Sequence, residues 1–180
     1  MGLIELIKQQ CISYGDFTLA SGRKSKYYID LRPLLHSTQG LMRATNLLSS
    51  ALVDDESKPV DSIGVLGYGA DVLIGALLKH AFMWGHDDLR GFVLRKEEKD
   101  YGKGGRVIGD LRKGDRVTIL DDVATSGGSL IKVARYVREF GAIPIQAWVI
   151  LDRVEGAVDA LAKEGVPLHS AIKIHDLGLK

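Results

Sequence analysis

The sequence predicts an α/β fold, in which helices flank a mostly parallel sheet and a small hairpin lies at the N-terminus. From residue 61 onward, short apolar runs alternate with helical patterns, which is typical of a parallel sheet covered by helices on both faces. The chain has 180 residues, of which 46% are hydrophobic and 26% are charged. These values fit a globular protein with its own core. We therefore predict one domain over residues 1–180.

Each element is predicted from local patterns of apolar and turn-forming residues. An amphipathic helix is predicted over residues 2–13, followed by a hairpin that turns at Ser21 and Gly22. Ser37 is predicted to cap a helix over residues 38–53. Further strands are predicted at residues 62–66, 91–94, 107–109, 116–120, 143–151 and 167–173, and further helices at 71–83, 127–140 and 154–164. Because ligands of parallel sheets bind beyond the carboxyl ends of the strands, we expect the site in the loops that follow them.

The composition excludes several classes of partner. A net charge of +1 gives no global basic field, so we expect no nucleic-acid binding. No apolar run approaches the roughly 18–20 residues of a membrane span, and the N-terminal residues lack the layout of a signal peptide. The single cysteine, Cys11, excludes an internal disulfide and fits a reducing cytosol. These features predict a cytoplasmic protein without a membrane or nucleic-acid partner.

The segment at residues 117–129 (VTILDDVATSGGS) indicates what the protein binds. A buried strand is predicted to end at two carboxylates, Asp121 and Asp122, before a turn rich in hydroxyls and glycines that opens a helix. Backbone N–H groups at such a turn suit a phosphate, and the carboxylates suit ribose hydroxyls or a hydrated Mg²⁺. The alternative is an ordinary strand-to-helix turn, although two adjacent acids at a buried strand end are costly without a partner. The segment therefore indicates a sugar-phosphate substrate.

This segment resembles the phosphoribosyl diphosphate (PRPP) motif of the type I phosphoribosyltransferases. The resemblance implies that family's fold, with a hood formed by about residues 1–35 and the C-terminal tail. It implies that Asp121 and Asp122 hold the ribose hydroxyls. It assigns PRPP binding to the residues that follow them: Val123, Ala124, Thr125, Ser126, Gly127, Gly128 and Ser129. Mg²⁺ is the implied cofactor, bound mainly through PRPP and without a direct protein ligand.

A glycine-rich, locally basic loop is predicted over residues 95–106 (RKEEKDYGKGGR). Between residues 90 and 116 the chain has nine Lys or Arg and five Asp or Glu, and mobile basic loops close over anions such as diphosphate. A solvated charged loop is the alternative. The loop resembles the catalytic loop of the orotate phosphoribosyltransferases, which implies that Arg95, Lys96 and Lys99 bind diphosphate. The resemblance implies that Arg95 and Lys99 are catalytic cations. It implies that Asp121 and Asp122 are catalytic as well.

The same resemblance implies a homodimer in which each loop serves the neighbouring active site. Tyr101, also assigned to PRPP binding, stands where the family usually has His. A phenol donates a hydrogen bond but does not titrate near pH 7 as imidazole does. Two further positions depart from the family. Ala20 stands where many members carry a lysine, and Tyr68 stands where some members do.

Two further segments resemble the orotate-binding parts of that family. The run at residues 17–30 (FTLASGRKSKYYID) resembles its N-terminal signature and implies that Tyr28 and Ile29 contact the planar base. Arg153, predicted at the end of a buried strand, corresponds to the arginine that contacts orotate, and Thr125 also approaches this base. A guanidinium suits the carboxylate of orotate. The alternatives are a hairpin with exposed aromatics and, for Arg153, a salt bridge to Asp152 or Glu155.

Together, these resemblances predict an orotate phosphoribosyltransferase that uses PRPP and Mg²⁺. Two other functions remain open at this point. The first is a phosphoribosyltransferase for a purine base, against which Arg153 and the hairpin argue. The second is a PRPP-sensing regulator without catalysis, which would be expected to carry a DNA-binding module. The segment before Phe17 is too short for a helix-turn-helix, and no basic recognition helix is apparent.

Overall fold

A computed structural model of the protein describes residues 2–18, 24–97 and 105–179. The strands are β1 (Ile12–Thr18), β2 (Lys24–Ile29), β3 (Ser62–Leu66), β4 (Arg90–Leu94), β5 (Val107–Gly109), β6 (Arg116–Ala124), β7 (Ile143–Asp152) and β8 (Leu168–Lys173). The helices are α1 (Leu3–Gln10), α2 (Arg32–Leu35), α3 (Thr38–Leu47), α4 (Asp71–Met83), α5 (Gly128–Phe140) and α6 (Ala157–Lys163). Two 3₁₀ turns follow α3 and β8, at Leu48–Leu52 and Ile174–Leu177.

The central sheet has six strands in the order β5-β4-β3-β6-β7-β8. All neighbouring pairs are parallel except β4 and β5, which are antiparallel. From β3 the chain moves outward to β4, whereas from β6 it moves in the opposite direction to β7 and β8. The strand order therefore reverses between β3 and β6, and ligands of doubly wound sheets bind at such a reversal.

Helices cover both faces of this sheet, and each face has its own apolar core. One core contains Leu6, Ile7, Leu34, Leu48, Leu73 and Leu77, which come from α1 to α4 and the first 3₁₀ turn. The other contains Val117, Ile119, Leu130, Val133, Val137 and Leu161, which join β6 to α5 and α6. β1 and β2 form a separate antiparallel hairpin beside the first core. This arrangement confirms the predicted fold class.

Most predicted elements appear within a few residues of their predicted bounds. The hydroxyl of Ser37 accepts a hydrogen bond from the N–H of Gly40 (3.1 Å) and caps α3 as predicted. Two elements were not predicted, namely α2 and the final 3₁₀ turn. The predicted hairpin turn at Ser21 and Gly22 lies outside the described residues. No helix among those residues is long and apolar enough to span a membrane.

Two boundaries were wrong for identifiable reasons. β6 does not end at Leu120 but continues to Ala124, because β7 pairs with it over that length. The helix predicted at 154–164 begins only at Ala157, since Val154 (φ 55°) and Gly156 (φ 99°) have left-handed backbone conformations. Both differences lie at the carboxyl edge of the sheet, where the site was expected.

Candidate active site

Asp121 and Asp122 lie on β6 at the point where the sheet opens. β6 pairs with β7 up to Ala124, opposite Asp152, whereas its pairing with β3 ends at Ile119. The two carboxylates therefore stand on a strand that has a partner on only one side. The resulting gap coincides with the reversal of strand order between β3 and β6, so the fold directs this acid pair into a ligand-binding position.

The environment of the pair makes both side chains weaker acids than usual. Burial, reinforced by the negative charge of Asp122, raises the pKa of Asp121 from 3.8 to about 7, while the nearby Lys96 ammonium opposes this rise. Burial also raises the pKa of Asp122. The backbone N–H groups of Asp122 and Val123 donate to Asp121 Oδ1 (3.0 Å) and Asp122 Oδ1 (2.8 Å). Perturbed neighbouring acids of this kind are typical of functional sites.

The turn between β6 and α5 forms a shallow concavity that we call the phosphate cradle. Gly127 caps α5 with φ +79°, and a Cβ atom there would lie 3.3 Å from Ala157 Cα. Thr125, Ser126 and Ser129 are exposed around it. The concavity measures ≈ 30 Å³ and is lined by Asp121, Val123, Ala124, Thr125, Gly127, Gly128, Ser129 and Leu130. Backbone N–H groups and the positive end of the α5 dipole suit a phosphate in this position.

Arg153 follows β7 and joins the sheet edge to the hairpin. Its N–H donates to the carbonyl of Ala124 (2.9 Å), so the ends of β6 and β7 are tied together. Its guanidinium lies 5.7 Å from the ring centroid of Tyr27, and its Nε lies 2.9 Å from Glu155 Oε1. The ion pair with Glu155, which the sequence left as an alternative, is therefore present.

The backbone next to Arg153 is strained. Val154 has φ 55°, which is unusual for a β-branched residue. The N–H of Val154 donates to Asp152 Oδ1 (2.8 Å), and this buried carboxylate holds the turn in place. Strain of this kind is held only where the surroundings enforce it, and it is concentrated at functional sites. The turn fixes the direction in which the chain leaves β7 beside Arg153.

The hairpin presents different faces of its two predicted base-binding residues. Tyr28 is 44% exposed and lies 5.7 Å from the ring of Phe17. The side chain of Ile29 is buried in the first core, so only its backbone can meet a ligand. Tyr27, which was not predicted as a site residue, contacts Arg153 instead. The alternation of side chains along β2 could have predicted this contact, since Tyr27 and Ile29 share one face of the strand and Tyr28 lies on the other.

Arg95 and Lys96 lie at the base of the basic loop. The N–H of Arg95 donates to the carbonyl of Arg106 (2.7 Å), and its guanidinium donates to the carbonyl of Gly105 (3.2 Å), which closes the loop base. The side chain of Lys96 lies over Gly67, where a Cβ atom would be 3.2 Å from Lys96 Cε. Lys96 thus faces the gap that holds Asp121. Lys99 and Tyr101, with Ala20 of the hairpin, lie outside the described residues.

The sequence also missed an ion pair beside Asp122. The guanidinium of Arg32 donates to both carboxylate oxygens of Asp30, with Nε–Oδ1 at 2.8 Å and a second nitrogen 2.6 Å from Oδ2. Burial is the main cause that raises the pKa of Asp122, and the charge of Asp30 adds to it; the hydrogen bond to Asp30 is the main cause that raises the pKa of Arg32, and the charge of Asp122 adds to it. The pair therefore lies close enough to the acid pair to contribute to its electrostatics. Asp30 and Arg32 lie two positions apart just after β2, and this spacing alone did not predict that they form an ion pair.

The donor set of this site fits a hydrated Mg²⁺ brought in by a polyphosphate substrate. Mg²⁺ prefers oxygen ligands and retains much of its water, so it is usually held by one or two carboxylates together with phosphates. Asp121 and Asp122 supply carboxylates beside the phosphate cradle. Within residues 2–18, 24–97 and 105–179, no group of three or more His, Cys, Asp or Glu side chains is arranged to hold a metal ion.

Comparison with known proteins identifies the family. Residues 35–175 match the family model of the phosphoribosyl transferase domain. Over 175 residues the chain is 38% identical to an orotate phosphoribosyltransferase of Bradyrhizobium diazoefficiens, and the match covers 95% of this chain and 91% of that relative. This chain belongs to the orotate phosphoribosyltransferase family. The predicted enzyme class is therefore confirmed, and relatives of this kind do not favour a purine phosphoribosyltransferase or a PRPP-sensing regulator.

Solved structures of orotate phosphoribosyltransferases share the fold. The enzyme of Aeropyrum pernix superimposes with a TM-score of 0.82 at 31% identity, covering 97% of this chain and 95% of that one. The Mycobacterium tuberculosis H37Rv enzyme, solved in complex with PRPP, superimposes with a TM-score of 0.78 at 26% identity, covering 98% and 97% of the two chains. The similarity to both structures extends over nearly the whole chain.

Proposed function

We propose that this phosphoribosyltransferase transfers the ribose 5-phosphate group of PRPP to orotate. The products are orotidine 5′-monophosphate and diphosphate, and the step belongs to de novo pyrimidine (UMP) biosynthesis. The observation that carries the proposal is the acid pair on β6, which stands beside the phosphate cradle at the gap between β3 and β6. Arg153, at the end of the neighbouring strand, supports orotate as the base, as do the orotate phosphoribosyltransferases among the relatives.

In this reaction, a ring nitrogen of orotate attacks C1 of the ribose. A C–N bond forms as the C1–O bond to diphosphate breaks, diphosphate leaves with the bonding electron pair, and the ring nitrogen loses its proton. Positive charge builds up on the sugar, so the transition state resembles an oxocarbenium ion. No protein nucleophile is needed, and the residues of the site act by positioning the substrates and by neutralising the leaving group.

The acid pair and the cradle are proposed to bind the ribose 5-phosphate part of PRPP. Asp121 and Asp122 accept hydrogen bonds from the ribose hydroxyls, for which the ionised form of each carboxyl is the better acceptor. The backbone and hydroxyl groups of residues 123–129 bind the 5′-phosphate. In this division the carboxylates meet the ribose hydroxyls and the N–H groups of the turn meet the phosphate, although Asp121 also lines the cradle.

The base is proposed to bind between the hairpin and the end of β7. Arg153 donates two parallel hydrogen bonds to the carboxylate of orotate, which requires its guanidinium to exchange Glu155 for the ligand. Tyr28 and the backbone of Ile29 contact the flat ring, and Thr125 approaches the base from the cradle. A cationic group that faces a planar anion in this way favours orotate over an uncharged purine.

The basic loop is proposed to bind the diphosphate. Lys96 already faces the gap beside Asp121, while Arg95 holds the loop base and Lys99 approaches when the loop closes. Tyr101 donates a hydrogen bond to diphosphate in place of the family's histidine. Mg²⁺ bound with PRPP would neutralise part of the diphosphate charge, and Asp121 and Asp122 are the carboxylates that would be available to its hydration shell. Titration calorimetry of PRPP with and without Mg²⁺ tests this cofactor assignment.

The proposed active unit is a cytoplasmic homodimer with its loops exchanged between subunits. Phe82, Met83 and Trp84 at the end of α4 are between 68% and 74% exposed, and an apolar cluster of this kind suits a protein interface. Cys11 is a free, buried thiol, which is typical of proteins in a reducing compartment. Mixing inactive Lys99→Ala and Arg153→Ala subunits tests loop exchange, because only an exchanged loop assembles one intact site in the mixed dimer.

A panel of bases tests the proposed function. Purified protein is incubated with PRPP, Mg²⁺ and either orotate, hypoxanthine, guanine or adenine, and the absorbance of each base is followed. We expect orotate consumption that requires both PRPP and Mg²⁺, and no comparable consumption of a purine. Turnover of a purine but not of orotate would overturn the choice of base, and PRPP binding without turnover of any base would overturn the enzymatic function.

A further inference from the structure

A second cavity lies beside the phosphate cradle, at the N-terminal end of α5. It measures ≈ 250 Å³ and is lined by Leu66, Lys96, Arg106, Ser129 and Lys132. It therefore extends from the end of β3 and the loop after β4 to the first turns of α5. The phosphate cradle, by comparison, measures ≈ 30 Å³ and is formed largely by the backbone of one turn. Ser129 lines both cavities, so they are neighbours at the N-terminus of α5.

The lining of this basic cavity is unbalanced in charge. Of the five lining residues that the structure describes, Lys96, Arg106 and Lys132 are cationic and none is acidic. Among the described residues, none of these three cations forms a salt bridge, although most other arginines of the structure do. The three cations repel one another, and although Asp121 attracts Lys96, the excess of positive charge favours a bound anion.

Arg106 is held at the cavity by an aromatic ring on α5. Its guanidinium carbon lies 5.4 Å from the ring centroid of Tyr136, and its Nε is buried without a hydrogen-bond partner among the described residues. A cation–π contact with a ring uses no N–H donor of the guanidinium, so the donors of Arg106 remain available to a ligand. Lys132 is exposed one turn after Ser129 on the same helix, so α5 contributes both a cation and the support for another.

We propose that Arg106 and Lys132 bind the diphosphate end of PRPP and the diphosphate product. The identity of the ligand rests on the proposed function, whereas the anion site rests on the cavity alone. The cavity has the size and charge for a diphosphate rather than a single phosphate, and Lys96 connects it to the acid pair. Lys132 lies outside the segments that resemble the family's motifs, and Arg106 is the last residue of the basic loop; both add positive charge in a chain that has Tyr68 in place of a lysine.

Titration calorimetry with inorganic diphosphate and Mg²⁺ tests the proposal without any need for catalysis. The variants are Arg106→Gln and Lys132→Gln, and the matched control is Lys79→Gln, which removes an exposed helical lysine from α4. Each test variant should weaken diphosphate binding by about tenfold, as expected for one charge-assisted hydrogen bond, whereas the control stays within about twofold. The KM for PRPP should rise in parallel with little change in kcat.

The ring of Tyr136 provides a second, independent test. Tyr136→Leu should weaken diphosphate binding by about threefold, since Arg106 loses the surface that holds it, and Tyr136→Phe should retain wild-type affinity. Diphosphate affinities of Arg106→Gln and Lys132→Gln within twofold of the control would refute the proposed site, even if orotate turnover is normal. Wild-type protein that binds diphosphate with this dependence but converts no orotate would instead refute the proposed function.

Discussion

Replacing Asp121 by Asn should stabilise the ligand-free protein at alkaline pH while destroying its function. The folded pKa of Asp121, about 7, lies above its ordinary value of 3.8, because burial and Asp122 disfavour the charged form. The contribution of this carboxyl to stability is therefore fully present below about pH 4 and is lost as the pH rises through 7. Asparagine keeps an oxygen that accepts from the N–H of Asp122 but never ionises.

The size of the effect follows from the shift of the pKa. Each pKa unit corresponds to about 1.4 kcal/mol, so a shift of about three units costs the folded state roughly 4 kcal/mol when Asp121 is fully ionised. Between pH 5 and pH 8, the calculated loss is about 2.5 kcal/mol. Partial contact of Asp121 with solvent reduces this value, and we expect a change of about 2 kcal/mol across this interval.

Urea unfolding followed by circular dichroism at pH 5 and pH 8 measures this change. The free energy of unfolding of Asp121→Asn minus that of the wild type should be about 2 kcal/mol larger at pH 8 than at pH 5, because the variant gains stability relative to the wild type as the pH rises. Asp159→Asn, a substitution of an exposed residue on α6, serves as the control and should show no such change. If the free energies of unfolding of Asp121→Asn and the wild type differ by the same amount at both pH values, the assigned environment of the acid pair is refuted.

Three further substitutions test separate parts of the site. Gly127→Ala should lower stability by about 1–2 kcal/mol and weaken PRPP binding, whereas Gly165→Ala, at an equally left-handed but open position, should lower stability alone. Urea unfolding measures the loss of stability, and PRPP titration measures the loss of binding. Arg153→Lys should raise the KM for orotate by about tenfold with little effect on PRPP affinity, since a lysine cannot form the paired contact; equal losses for both substrates would contradict its assignment. Lys99→Ala should reduce turnover far more than orotate binding, and near-normal turnover would remove the loop from the mechanism.

Local patterns were sufficient for the elements that have local causes. β3 and α4 appear at the predicted residues 62–66 and 71–83, because an apolar run and a helical period are complete within each segment. The cap at Ser37 likewise depends on residues three positions apart. The acid pair and the glycine-rich turn of the cradle were recognised for the same reason, since all of their chemistry lies within thirteen consecutive residues.

Features that depend on distant partners were not predictable in this way. β6 continues through the acid pair because β7 pairs with it there. No sequence pattern within β6 predicts this pairing. The contact between Tyr27 and Arg153 joins the hairpin to the end of β7, and the contact between Arg106 and Tyr136 joins the loop base to α5. Each pair is far apart in the sequence, so only the fold brings its members together.

The most direct test of the account is the formation of orotidine 5′-monophosphate itself. Product should be quantified by chromatography after incubation of wild-type protein, or of a variant with both Asp121→Asn and Asp122→Asn, with orotate, PRPP and Mg²⁺. We expect equal amounts of orotidine 5′-monophosphate and diphosphate from the wild type and almost none from the variant, which should remain folded. Wild-type protein that forms no product, or a variant that forms it at the wild-type rate, would contradict the claim that the acid pair on β6 supports this transfer.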